Sequence, residues 1–213
     1  MTRVLSIVFL SLFTISSWAQ DAKARVILDK MSAKYKAMSS FSANFAYGSM
    51  SPSGKKGRMS TGSILTKGVK FKLNMAGQEI YNNGKELYTY VKETNEVNIT
   101  EYDSSEDSPF SPSNIYTIYK KGYDYKFIKE ETVGGKVLEI IELKPQKKGD
   151  NVSKIQIGVN KSDKSIANWK ITDTGGKITV FELSAFKPNV AANDATFNFN
   201  TAKYPGVEVI DLR

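Results

Sequence analysis

The chain of 213 residues contains neither cysteine nor histidine. Their absence excludes a thiolate nucleophile, a Ser-His-Asp triad, an imidazole base and a zinc site of the nitrogen or sulfur type. Disulfides are excluded as well. Acid–base chemistry is thereby confined to Asp, Glu, Lys, Tyr, Ser and Thr, around an oxygen-ligated cation if any. Long apolar runs are also missing: past residue 15 no segment approaches the ~20 apolar residues that a membrane-spanning helix needs. Acidic residues are the scarcer sign, 22 against 30 Lys+Arg, for a net charge of +8.

What is present is ordinary globular composition, 40% hydrophobic and 24% charged, with 11 Tyr, 11 Phe and 2 Trp. It supports a real core. Residues 1–19 read as a secretory signal peptide: Arg3 supplies the positive n-region, residues 4–15 the apolar h-region, and Ser17-Trp18-Ala19 the small-x-small site, with cleavage after Ala19. The expectation is an exported protein. Arg3 is the leader's one charge, so residues 20–213 stay basic, and a basic exported protein meets anionic membrane surfaces and acidic protein patches rather than nucleic acid.

Over residues 21–40 the apolar positions Ala24, Ile27, Leu28, Met31, Tyr35 and Met38 recur at helical spacing, with lysines largely between them. From Phe41 the period becomes two. Segments 41–47, 57–65, 69–75, 78–81, 85–91, 96–102, 123–131, 136–144, 152–160, 165–173, 177–186 and 206–212 read as strands, separated by Gly and Asn turns. The Asn83-Gly84 step suits a type I′ hairpin turn. About eleven antiparallel strands are too many for a flat sheet, so a mainly β fold curled into a barrel or half-barrel is expected, as one domain over 20–213. Residues 103–122 interrupt it. An acidic stretch, then Ser111-Pro112 as a helix start and a short helix through Ile115, Tyr116, Ile118 and Tyr119, make this insertion a lid candidate, with a plain surface loop as the alternative.

The carboxylates do not assemble a site. Glu139 and Glu142, three apart on one strand, point to opposite faces, Glu130 and Glu131 diverge too, and solvated strand faces account for all four. Asp103, Glu106 and Asp107 lack the spacing and central Gly of a calcium loop. Gly134-Gly135 and Gly175-Gly176 open no helix and are turns, not phosphate loops. Aromatics interleaved with lysines over 116–127 suit single-stranded nucleic acid superficially, but export argues against it. No cofactor, metal or enzymatic activity is expected. The methionines, with the aromatics, suit a core that repacks around a ligand of variable shape.

The order of motifs is informative: an amphipathic helix ending in Met38-Ser39-Ser40-Phe41-Ser42-Ala43-Asn44-Phe45, a Gly-x-Ile-Leu-x-Lys strand at 62–67, the Gly84-Lys85-Glu86-Leu87-Tyr88-Thr89-Tyr90 hairpin, the Asp173 to Phe181 stretch, Phe197-Asn198-Phe199, and the closing Pro205-Gly206-Val207-Glu208-Val209-Ile210-Asp211. Together these resemble the periplasmic outer-membrane lipoprotein carriers of the LolA type. The resemblance implies an incomplete antiparallel barrel of about eleven strands, capped by helices, around a hydrophobic cavity for lipoprotein acyl chains. It also implies partners: acylated lipoproteins, an inner-membrane ABC-type release complex, and the outer membrane or a receptor there. A monomer is expected. A sensing adaptor, or a carrier of another lipid or glycolipid, is the alternative on the same fold.

On that reading the cavity is lined by Ile27, Met31 and Met38 of the helix, Val69, Phe71, Leu73 and Met75 of one strand, Tyr88 or Tyr90 of the hairpin, and Ile115 and Ile118 of the lid. The family's well-known members carry an Arg after the strand's Lys to hold the lid closed, where this chain has Gly68. Lid control would then fall to Lys67, Tyr116 or Tyr119.

Overall fold

The computed structural model describes residues 21–103, 112, 115–147 and 151–213. The leader, the acidic residues 104–109 and the Ser111 cap lie outside the described residues. Helix α1, Ala22–Lys36, starts where Asp21 accepts from the backbone N–H groups of Lys23 at 2.8 Å and Ala24 at 3.2 Å. The second carboxylate oxygen of Asp21 accepts from the N–H of Phe127 at 3.0 Å, so the cap also ties the helix to the sheet. Its buried face is Ala24, Ile27, Leu28, Met31 and Tyr35, the stripe that the 3.6-residue period predicts.

Twelve strands follow: β1 Phe41–Met50, β2 Lys56–Lys67, β3 Lys70–Met75, β4 Gln78–Asn82, β5 Glu86–Val91, β6 Glu96–Glu101, β7 Tyr123–Val133, β8 Lys136–Pro145, β9 Val152–Asn160, β10 Ile166–Asp173, β11 Ile178–Pro188 and β12 Glu208–Asp211. They form one sheet in the order β12-β6-β5-β4-β3-β2-β1-β11-β10-β9-β8-β7. Among the described residues its edges, β12 and β7, do not pair, which makes it the expected incomplete barrel. The closing strand departs from expectation, because β12 pairs parallel to β6 while every other pairing is antiparallel. It reaches β6 by a long crossover over the sheet, and a crossover, unlike a hairpin, allows a parallel neighbour.

Curvature comes from bulges. Opposite Ala43, strand β11 carries two residues, Ala185 and Phe186, one more than β1, with Ala185 at φ 49°, and β7 bulges between Phe127 and Lys129. The first bulge returns Phe186 to the concave side, where it meets Phe41 at a ring distance of 5.5 Å.

Three local expectations are corrected. Val69 alternates with Phe71 in sequence but sits in the β2–β3 turn, 51% exposed, because Gly68 at φ 59° reverses the chain there. The Asn83-Gly84 step is no type I′ turn: only Gly84 has positive φ, and Asn82 and Asn83 build the loop by accepting from Gly84, Lys85 and Glu86 N–H groups. Over residues 115–120 the chain forms a turn and a three-residue 3-10 helix, Ile118–Lys120, instead of a longer helix. The β-branched run Ile115, Thr117, Ile118 disfavours α-helix, and Thr117 supplies no side-chain cap.

Two layers cover the sheet. Helix α1 fills the concave face over β7–β10, against Ile141, Leu143, Ile155 and Ile157, all fully buried. On the opposite face, residues 189–207 cover β3–β6. There Phe197 is fully buried, Phe199 stacks on Tyr204 at 4.5 Å, and the Glu79 carboxylate accepts from the hydroxyls of Tyr81 at 2.7 Å and Tyr204 at 2.9 Å. Burial raises the hydroxyl pKa of Tyr81, and the bonds to Tyr204 and Glu79 raise it further.

Candidate functional site

Helix α1 covers only part of the concave face. Between the helix and strands β1–β3, β10 and β11 lies a cavity of about 420 Å³. Register explains its walls, since directly opposed residues share a face. Trp169 and Phe181 stand side by side across β10 and β11, with Tyr47 of β1 next to Phe181 but outside the lining, and Ile64 stands beside Leu73 across β2 and β3. The rings pack as a stack, Trp169 on Phe181 at 4.8 Å and Phe181 on Tyr47 at 6.0 Å. Phe45, Met75, Ile171 and Leu183 complete the apolar wall, and Tyr35 and Phe41, edge-to-face at 5.4 Å, line it near the C-terminus of helix α1. Its polar lining gathers toward the β8–β9 and β10–β11 turns, with Asn151, Asp173, Lys177 and, opposed to Ile171, Thr179. The Asp173 carboxylate is engaged, accepting from the Lys177 N–H at 2.9 Å.

Of the residues expected here, Leu73, Met75 and Ile115 line the cavity. Ile27, Met31 and Ile118 are buried in the packed core, with Met38 half-buried against it. They support the cavity without facing it. Phe71 is buried deeper on the same strand face, edge-on to Tyr102 at 6.4 Å. Val69 is exposed in its turn. Tyr88 and Tyr90 are on the wrong side: they pair with Tyr81 and Glu79, which pair in turn with Lys72 and Asn74, so they share the face opposite Leu73 and Met75. They pack under Phe199 instead. The sequence reading missed Phe45, Ile64, Trp169, Ile171, Phe181 and Leu183, although the period-two spacing of 169/171 and 181/183 marked one face.

The residues at 115–120 are tied to the helix. Tyr116 stacks on Tyr35, ring centroids 5.3 Å apart and 11° from parallel, and the Tyr119 hydroxyl donates to Asp29 at 2.6 Å. Burial raises the pKa of Tyr119, and the bond to Asp29 adds to it. Lys67 does something else. Its ammonium donates to Asp194 at 2.8 Å and to the Ala192 carbonyl at 3.1 Å, and Lys70 bonds the other Asp194 oxygen at 2.8 Å. The bonds from these two lysines lower the Asp194 pKa to about 2. Lys67 therefore fastens the C-terminal covering segment and not residues 115–120.

The glutamates remain dispersed. Glu139 and Glu142 do face opposite sides, opposed to Val159 and Gln156 respectively. Glu139 is not solvated as expected, however, but 5% exposed and paired with Lys164 at 2.5 Å. Burial leaves this carboxylate dependent on its ammonium partner. Among the described residues no cluster of three or more acidic groups could hold a metal ion, and no helix is long and apolar enough to cross a membrane.

No curated protein matches this sequence. Among solved structures the chain is similar to an uncharacterized conserved protein from Thermus thermophilus, with a TM-score of 0.59 at 11% identity over 88% of this chain and 98% of that one. It is similar also to MucB, with a TM-score of 0.51 at 13% identity over 89% of this chain and 66% of that one. These two likenesses are of fold. A LolA superfamily protein from Nitrosomonas europaea aligns at 16% identity over 83% of this chain and 97% of that one, with a TM-score of 0.43. The family model described as outer membrane lipoprotein carrier protein LolA matches residues 36–200, and the chain belongs to that family.

Proposed function

We propose that this protein is an exported carrier that takes lipoprotein acyl chains into the concave cavity and shields them from water between the inner and outer membranes. The observation that carries this reading is the cavity itself, with walls made mostly of apolar side chains. A lipid chain in water costs about 0.8 kcal/mol per methylene, roughly 12 kcal/mol for a palmitoyl chain. A wall of Leu, Ile, Met and ring edges removes that cost without specific polar contacts, which permits release as well as uptake.

In this reading the mature chain begins after Ala19, acts as a monomer in the periplasm, receives cargo from an inner-membrane ABC-type release complex, and delivers it to the outer membrane or a receptor there. It catalyses no reaction. Segment 103–122 acts as the lid, with Tyr116 and Tyr119 as its ties to helix α1.

The test is lipoprotein release from spheroplasts, with native mass spectrometry of the recovered carrier. Wild-type protein is expected to release lipoproteins and retain them one to one, and Leu73→Asp, which places an unpaired carboxylate in the apolar wall, to abolish both. A Leu73→Asp protein with native circular dichroism and full release would overturn the proposal, as would wild-type protein that recovers no acylated cargo.

A further inference from the structure

One ring of the cavity wall lies where the next strand has no side chain. Phe45 on β1 is opposed to Leu183 on β11 and Gly62 on β2, all on the concave face. Strand side chains stand roughly perpendicular to their sheet. An upright Phe45 would project into the space that Ile64, Leu73 and Met75 enclose. Instead the ring leans across β2: a β-carbon at position 62 would lie 2.3 Å from Phe45 Cζ, 2.6 Å from Phe45 Cε2 and 2.6 Å from the Asn74 carbonyl oxygen. Atoms do not approach so closely. The ring therefore occupies a seat that exists only because residue 62 lacks a side chain, a recurrent use of strand glycine.

We infer that Gly62 is a positioning residue that seats Phe45, and that this pair sets the cross-section of the apolar chain the cavity admits. The inference rests on the acyl-chain reading above. Gly62 touches no ligand; it acts by holding down a ring that forms part of the wall.

The test uses the full exported chain loaded with 11-(dansylamino)undecanoic acid, displaced by palmitic acid or by phytanic acid, which carries methyl branches on the same backbone length. The quantity read is the phytanic-to-palmitic affinity ratio. Phe45→Leu is expected to raise it roughly tenfold and Phe45→Trp to lower it about as much, the scale of small size changes in apolar pockets. Gly62→Ala, which unseats the ring, should follow Phe45→Trp. A purely structural role would lower the melting temperature and weaken both acids together, leaving the ratio unmoved.

Ratios unchanged in folded Phe45→Leu and Phe45→Trp proteins overturn the inference, and an unchanged ratio in a folded Gly62→Ala protein overturns the seating role. If Gly62→Ala fails to fold, because its methyl also meets the Asn74 carbonyl, the Phe45 variants decide. Wild-type protein from which neither acid displaces the probe overturns the acyl-chain reading, and this inference with it.

Discussion

Tyr119 and Ala76 show how single side chains set local energies in this protein. The Tyr119 hydroxyl joins residues 115–120 to helix α1 by its bond to Asp29 at 2.6 Å. Tyr119→Phe keeps the ring, removes the donor, and is expected to cost about 1–2 kcal/mol in a urea titration. It should also speed the release of a bound fluorescent fatty acid in stopped flow. An unchanged release rate would show that this bond does not limit exit. Ala76 lies in the β3–β4 turn at φ 52°, followed by Gly77 at φ 76°, the pattern of a type I′ turn without the usual Asn or Gly first. An L-residue there is strained by about 1–2 kcal/mol. Ala76→Gly, which relieves the strain while adding freedom to the unfolded chain, is expected to raise stability by roughly 0.5–1 kcal/mol in the same titration. Periodicity cannot reveal either effect. Val69 shows the limit of pattern at this scale: it keeps the alternation of a strand but lies in a turn, because Gly68 can take positive φ.

At the scale of elements, helix α1 is held at both ends as well as along its buried face. Asp21 caps its start and reaches β7, while near its end Lys34 pairs with Asp163 at 2.7 Å and the Tyr35 hydroxyl accepts from the Ile166 N–H at 3.0 Å. Partial burial raises the Asp163 pKa, but the bonds from Lys34 and Ser165 outweigh it and bring it from 3.8 to about 2. A folded-state pKa below the unfolded value gives stability that is complete above about pH 4 and disappears as pH falls toward 2. The pair is half exposed, so the contribution is small and screened by salt. Asp163→Asn should therefore lower the urea midpoint at neutral pH, and its difference from wild type should close as pH falls through that window. A difference independent of pH would assign the effect to packing. The helix, its stripe and the strand alternation were all legible in the sequence. The shortness of the 118–120 helix and the real fastening point of Lys67 were not, since both depend on partners distant in the chain.

At the scale of the whole molecule, two coverings on opposite faces of one sheet divide the labour. Residues 189–207 seal the outer face of β3–β6 over Tyr81, Tyr90 and Val97, all buried. Deleting residues 189–213 would bare that surface together with the edge of β6, and the expected result is strong anilinonaphthalene sulfonate binding or precipitation. A truncated protein that stays monomeric without dye binding would contradict it. On the inner face the proposed function has an acyl chain binding only the folded state, and fatty acid at a hundred times its dissociation constant should then stabilise the protein by about 2.7 kcal/mol, readable as a rise in melting temperature.

The order of helix and strands, the curling of a sheet too long to stay flat, and the lack of thiol and imidazole chemistry follow from the sequence alone, because period, turn residues and composition are local properties. Which residues face the cavity is different. Tyr88 and Tyr90 share the alternation of Leu73 and Met75 yet point the other way, since alternation defines two faces without saying which is concave. That choice was made by the bulges, by cross-strand register, and by the competition between helix α1 and residues 189–207 for the two apolar faces, and it exists only once the sheet has curled around the helix.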